Sequence, residues 1–469
     1  MKELSEVELR VLQSIKPRAE EYNLIWSTCE RVMGVLKEVL KEHSVQADVT
    51  VQGSVAHDTW LSGDRDIDVF VLFPEKWGRE DLENKGFPLI LEAAKRIGNY
   101  ETLYAEHPYV RIRIDDVEVD VVPGLKLNEP ARAKTAVDRT PFHTMYVNSV
   151  LTSELKDRVR LLKKFMKAIG VYGAEVKTRG FSGYAVELLV AVYGGFREVL
   201  EEAASWKPPV FVNTLGGKFT SELVKALKSK YPDSCIYMPD PVDPMRNVTA
   251  SVSLKSLVTF IVASKCYLKS PDVVFFVEPA DPDLGELMEA LKDRCIVAVT
   301  YSMREPLPPD VMWGEIQRVA SRLAKLLEVL GFNVIDYSAW TNEKDVCVLI
   351  VELDACTLRK YKHYRGPCVF HEDERVFNFI RKHVGSGYGP WITREGCLES
   401  LGVRGEVDVT RILESKWSEY SVSPHLRSVK PSVEVANEDV ISRLLKAGAG
   451  KWLRSFILKT PTWMEKCIS

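Results

Sequence analysis

Gly53-Ser54 is followed, after nine intervening residues, by Asp64-Arg65-Asp66-Ile67-Asp68-Val69-Phe70. The pair reads as a tight turn and the run as a strand. Alternate residues of a strand share a face, so Asp66 and Asp68 point one way while Ile67 and Val69 point into a core. Two neighbouring carboxylates repel and hold each other's protons unless a cation lies between them. Mg²⁺ suits such a place, because it takes oxygen ligands and keeps substrate phosphates in its shell. The Gly53-Ser54 turn offers a hydroxyl and free backbone N–H groups, which suit a triphosphate. Together these parts spell nucleotidyl transfer.

A two-metal site needs a third carboxylate. Tyr109 to Ile114 alternates like a strand, Asp115-Asp116 makes a turn, and Val117 to Val122 alternates again. This pattern predicts a hairpin that ends at the breaker Pro123-Gly124. Asp120 lies on the face opposite Val119 and Val121. Glu118 shares that face and is the alternative ligand, and solvated carboxylates are the plain alternative to both. In two-metal phosphoryl transfer, Asp66 and Asp68 would bridge both ions, and Asp120 would bind the ion that activates a 3′-hydroxyl.

Val51-Gln52-Gly53-Ser54-Val55-Ala56-His57-Asp58-Thr59-Trp60-Leu61, the Asp66/Asp68 pair and Asp120 resemble the nucleotidyltransferases related to DNA polymerase β. More narrowly, the chain resembles the archaeal (class I) CCA-adding enzymes. That likeness rests on Ala105-Glu106-His107-Pro108-Tyr109-Val110, Val117 to Gly124, Ala136 to His143, Val171 to Glu175, Arg179 to Tyr184 and Asp240 to Val248. These blocks cover about the first 260 residues. The resemblance implies addition of C, C and A to the 3′ end of immature tRNA from CTP and ATP, without a nucleic-acid template. It assigns Gly53 and Ser54 to the triphosphate, with Lys163 and Tyr172 beside them and His143 in the nucleotide site. It assigns Arg246 and Asn247 to the base: a guanidinium on a proline-fixed turn presents donors to features that C and A offer and U and G do not. Two positions depart from the family. Asp66 stands where relatives often carry Glu, and His57 where they carry an Arg near the triphosphate. Alternatives are a poly(A)/poly(U)-type tailing polymerase and a catalytically silent RNA-binding protein. The carboxylate triad disfavours the silent protein, and the Arg246 block disfavours the tailing polymerase.

The elements that must position these residues follow from periodicity. The chain has 469 residues, more than one ordinary core holds. The expected class is α+β multidomain. Residues 1–147 form a polymerase-β-like palm, a mixed sheet with helices, and 148–270 a helical neck. Residues 271–356 with 428–469 form a ferredoxin-like body, where Phe275-Phe276-Val277 reads as a strand. Residues 357–427 form an α-containing tail. Leu151 to Ile169 is an amphipathic helix whose polar face carries Lys156, Arg160, Lys163, Lys164 and Lys167. Net charge is −3, yet Lys126 to Arg179 holds twelve Lys/Arg against five Asp/Glu. That local excess suits a polyanion, and an ordinary solvated helix face is the equal alternative. Tyr361 to Pro390 mixes aromatic and basic residues and resembles the segment such enzymes lay along the acceptor stem and T-arm of tRNA. No run of eighteen apolar residues occurs, and the charged N-terminus lacks a secretory core, so no membrane partner and a cytoplasmic place are expected. Nine scattered cysteines form no Cys-x-x-Cys pair and read as buried free thiols, with disulfides reserved for a hyperthermophilic source. The sequence leaves a homodimer open.

Overall fold

The computed structural model describes residues 2–104, 108–133, 135–305, 307–370 and 372–468. The Ala105-Glu106-His107 part of the resemblance lies outside them. The chain divides into two compact units, Met1–Pro279 with Pro461–Ser469, and Ala280–Thr460.

The first unit opens with helices Glu6–Ile15 and Ala19–Glu42. Five strands follow: β1 (Asp48–Gln52), β2 (Asp66–Pro74), β3 (Tyr100–Tyr104), β4 (Pro108–Ile114) and β5 (Val117–Lys126). They form one sheet in the order β1-β2-β5-β4-β3, antiparallel except for the parallel pair β2 and β5. The expected hairpin is present, with Asp115 at positive φ in its turn. Pro123-Gly124 does not end it. β5 runs on to Lys126 because its pairing to β2 continues, whereas its pairing to β4 stops at Val121, where a proline's missing N–H costs least. Val69, Val71 and Phe73 on β2 and Val119 and Val121 on β5 are fully buried beneath Ile25, Val32, Leu36 and Ile90. Each such side chain contributes about 1.5–3 kcal/mol of burial. That core fixes which way the alternate carboxylates must face.

The rest of this unit is mainly helical: Ala136–Val150, Ser153–Ala168, Gly183–Tyr193, Phe196–Ser205, Ser221–Lys230 and Leu254–Lys269. Thr152, Ser182 and Ser253 cap their helices by accepting from Leu155, Ala185 and Ser256 N–H. Phe165 packs on Phe196, Phe260, Tyr267, Phe275 and Phe276. Phe275-Phe276 is therefore core in a 3-10 turn, not a strand. The expected polar face of Ser153–Ala168 is in part interior. Arg160 is 1 % and Lys163 2 % exposed, because backbone carbonyls of the Asp58–Trp60 loop take their hydrogens.

In the second unit a four-stranded antiparallel sheet runs in the order Ser432–Val435, Cys295–Ser302, Val346–Leu353, Val334–Thr341. With helices Pro309–Leu330 and Val409–Ser415 the chain order is βαββαβ, the expected ferredoxin-like arrangement. Between its third and fourth strands lies a small sheet of Tyr361–Cys368, Cys397–Val403 and Gly387–Ile392 with helix Asp373–His383. The expected body segment 428–469 is divided. Residues 461–469 belong to the first unit, where Trp463 is buried and Cys467 is bonded to Cys266. The free-thiol expectation is corrected too: Cys266–Cys467, Cys295–Cys356 and Cys368–Cys397 are disulfides, and Cys29, Cys235 and Cys347 are free.

Candidate active site

The parallel register of β2 and β5 sets Asp66 opposite Glu118 and Asp68 opposite Asp120, all on the face away from the buried valines. Asp66 is held above the usual carboxylate range by burial and by the charges of Asp64 and Glu118. Asp68 is pushed up to about 6 by burial and by the charges of Asp120 and Asp66. The side chain is exposed on its strand face although protein packs densely around it, and the neighbouring carboxylates lie close enough to disfavour its ionised form. Glu118 and Asp120 part company through their partners. Glu118 is held by Arg113 Nε at 2.9 Å and Arg111 Nη1 at 3.2 Å. Asp120 takes both arms of Arg111, Nε to Oδ1 at 2.7 Å and Nη2 to Oδ2 at 2.9 Å. Among the described residues, no three His, Cys, Asp or Glu side chains converge as a ready-made metal cage. An oxygen-only set of crowded carboxylates, one already drawn to a cation, fits a hard divalent ion.

Gly53-Ser54 begins a one-turn helix, Gly53–His57, rather than a simple turn. Gly53 has φ +66°, and a Cβ there would lie 2.4 Å from Asp68 Oδ2. Only glycine both takes that backbone and clears the carboxylate.

Beside the carboxylates is a cleft of ≈ 290 Å³. Gly53, Ser54, His57, His143, Lys163 and Tyr172 all line it, drawn together from across 120 residues of sequence. A larger cleft of ≈ 810 Å³ around Trp77 and Leu82 holds none of the site residues expected from sequence. Glu187, which the sequence analysis did not single out, also lines the first cleft. His57 Nδ1 lies 3.0 Å from Glu187 Oε2, and His57 Nε2 lies 3.0 Å from Thr144 Oγ1. Thr59 Oγ1 donates to Glu187 Oε1 at 2.5 Å, and Lys163 Nζ donates to Thr59 O at 3.1 Å and Thr59 Oγ1 at 3.0 Å. Burial alone would raise Glu187, but the charges of Lys163 and His57 and these hydrogen bonds outweigh it and bring it down to about 2. Burial pulls Lys163 below the usual lysine range. Both ring nitrogens of His57 are thus taken by protein partners, Glu187 and Thr144, while the ring lines the cleft. The signal was in the sequence, since Glu187 is the one charged residue of the apolar run Gly183 to Tyr193.

The proline-rich turn supplies the other end. Asp240 is fully buried. Its Oδ2 accepts from His143 Nε2 at 2.8 Å and Arg246 Nη1 at 2.9 Å, and its Oδ1 from Tyr184 OH at 3.0 Å and Val242 N at 2.9 Å. The imidazole of His143 stacks on Tyr184 with centroids 4.2 Å apart. Burial would raise Asp240, but His143, the Val242 N–H and Arg246 bring it down to about 2. Arg246 remains one-third exposed. Asn247 does not reach the cleft. Its Oδ1 accepts from Met238 N and Thr249 N, and its Nδ2 donates to Ile236 O and Ser234 Oγ. With its amide consumed by the turn, Asn247 is scaffold, which corrects its assignment to the base.

Three family models match the chain in succession: a nucleotidyltransferase domain over residues 32–143, the second domain of tRNA nucleotidyltransferase over 157–277, and the C-terminal domain of CCA-adding enzyme over 292–435. The CCA-adding enzyme of Saccharolobus islandicus (strain M.14.25 / Kamchatka #1) is 39% identical over 459 residues, 98% of this chain and 100% of the relative. That of Sulfolobus acidocaldarius is 36% identical over 462 residues, 98% and 99% of the two chains. Among solved structures, a cytoplasmic RNA terminal U-transferase is similar with TM-score 0.45 at 16% identity, over 60% of this chain and 100% of that one. On the full-length likeness to curated relatives, the chain belongs to the CCA-adding enzymes, a family of tRNA nucleotidyltransferases.

Proposed function

We propose that Asp66, Asp68 and Asp120 hold Mg²⁺ for addition of C, C and A to tRNA from CTP and ATP. The observation that carries the assignment is the parallel register that sets Asp68 against Asp120 beside the cleft lined by Gly53 and Ser54. Nucleotidyltransferases work with a divalent cation, which when bound activates the attacking hydroxyl and offsets charge on the triphosphate and leaving pyrophosphate. The remaining work falls to the chain. The Ser54 hydroxyl faces the triphosphate, while Lys163, held by Thr59 and Glu187, and Tyr172 build the wall beside it. Both arms of Arg111 hold the Asp120 carboxylate in place on its strand face. Arg246 donates to the ring nitrogen that is an acceptor on the Watson–Crick edge of C and A, where U and G carry N–H instead. Excluding bulk water strengthens each of these contacts.

The tRNA would be read through phosphates and 2′-hydroxyls of the stacked acceptor stem and T-arm, since the deep groove of an A-form helix hides its bases. Such an enzyme acts in the cytoplasm, where immature tRNA is found, and no helix among the described residues is long and apolar enough to cross a membrane. The test is incubation with tRNA transcripts ending at the discriminator base, each NTP supplied singly and in pairs, with and without Mg²⁺. Mg²⁺-dependent addition of C, C and A followed by a stop is expected. Long homopolymers would support a tailing polymerase instead.

A further inference from the structure

The carboxylate of Asp240 receives four hydrogen bonds, two of them from side chains that line the nucleotide cleft, His143 and Tyr184, and a third from Arg246, which meets the same carboxylate. A carboxylate has about four acceptor positions, so Asp240 is saturated. It is fully buried, whereas the three side chains it holds are not. Its own place is fixed from both sides. Pro239 and Pro241 flank it, its N–H donates to Arg246 O at 3.0 Å, and Val248 N donates to Met238 O at 2.8 Å. Asn247 stitches the turn from within. The result is a fixed anion at the guanidinium end of Arg246. Arg246 gives one of its five N–H donors to that anion and stays one-third exposed.

We propose that Asp240 is a positioning residue for base selection: by pinning one arm of Arg246, together with His143 and Tyr184, it fixes the guanidinium in the orientation that separates C and A from U and G. The inference rests on Arg246 being the base reader. Discrimination by hydrogen-bond edges depends on angle as well as on contact, since a donor some 60° off its line is nearly worthless. An arginine free to swing still attracts a nucleotide through its charge, but it donates to a carbonyl oxygen of U or G as readily as to a ring nitrogen of C or A. A carboxylate that touches no substrate can therefore control selectivity through geometry alone.

The experiment compares kcat/KM for CTP and ATP with that for UTP and GTP on one tRNA primer in the full-length chain, for wild type, Arg246→Ala, Asp240→Asn and the double variant, with Tm of each recorded. The expected result is a fall of about tenfold or more in the C/A-over-U/G ratio for each single variant, corresponding to one well-aligned hydrogen bond. The double variant should lose no more selectivity than the worse single variant, because both act through one guanidinium. If Asp240→Asn does not fold, Asp240→Ser, which removes the charge without adding volume, is read in the same way. A folded Asp240 variant that loses Tm but keeps the ratio overturns the positioning role while leaving Arg246 as reader. An unchanged ratio in Arg246→Ala overturns the reader, and the positioning role with it.

Discussion

Asp68 and Asp120 face each other across adjacent parallel strands, so each depends on the other's charge and both depend on what balances it. Replacing either by Asn removes a metal-binding oxygen while keeping the shape of the strand. Asp68→Asn and Asp120→Asn should each lower CTP and ATP incorporation by about a thousandfold or more, several kcal/mol of transition-state stabilisation, with tRNA binding by filter retention nearly intact. Asp66→Glu should retain activity, because the longer carboxylate still reaches the ion. Wild-type incorporation in either Asn variant would remove the metal assignment. A second expectation concerns acid. Glu187 and Asp240 both sit near pKa 2 in the folded chain, below the ≈ 4.3 and ≈ 3.9 of unfolded Glu and Asp. A depressed folded pKa gives stability that is complete above the unfolded value and is lost as pH falls through the folded one. Tm should therefore drop steeply between about pH 4.5 and 2, and Glu187→Gln should flatten that drop. At neutral pH the same variant leaves Lys163 buried without its counter-charge and should cost about 3–5 kcal/mol in denaturant melts. A parallel acid slope in variant and wild type would show that the pair does not contribute.

At the scale of elements, what was legible was whatever one strand or helix states by itself. The alternation of Asp66 to Val69 and of Val117 to Val121 gave both strands and their faces, because a half-buried strand writes its burial into a period of two. Choices made by a neighbouring element were hidden. Pro123 reads as a stop, yet the pairing to β2 carries the strand past it. Lys163 reads as a cation on the polar face of its own helix, yet Thr59 and Glu187 come from elsewhere to enclose it. Asn247 is assigned to the base by the resemblance, yet its amide is spent inside its own turn. The helix Asp373–His383 lies within the aromatic and basic stretch Tyr361 to Pro390. It leaves Arg375, Phe377, Arg381 and Lys382 exposed, while Phe379 packs beside Gly366 and His383. Replacing Arg375, Arg381 and Lys382 with Ala should weaken tRNA binding and flatten its salt dependence by about one unit of slope per lost phosphate contact. Arg375 already pairs with Glu372, so most of the change should come from the other two. Binding of CTP to the free enzyme is the control and should change little. An unaltered salt slope would move the RNA contact off this helix.

At the scale of the whole molecule, the bonds that sequence could not pair are the three disulfides. Spacing alone cannot join Cys266 to Cys467, which are 201 positions apart, because only the folded chain returns its last nine residues to the helix Leu254–Lys269. Closing so long a loop restricts the unfolded chain by about 5 kcal/mol in the chain-entropy treatment, more than either shorter bridge contributes. Intact mass without reductant should be lighter by two hydrogens per bridge than after reduction, and peptide mapping should recover the three pairs with Cys29, Cys235 and Cys347 alkylated. Cys266→Ser should lower the melting temperature of the first unit by about 10–20 °C, at some 2–4 °C per kcal/mol for a unit of this size. The same variant should leave CTP addition at moderate temperature close to wild type, since neither cysteine lines the nucleotide cleft. If reductant leaves the melting curve unmoved, the C-terminal segment is held by its packing around Trp463 alone, and the bridge adds nothing to stability.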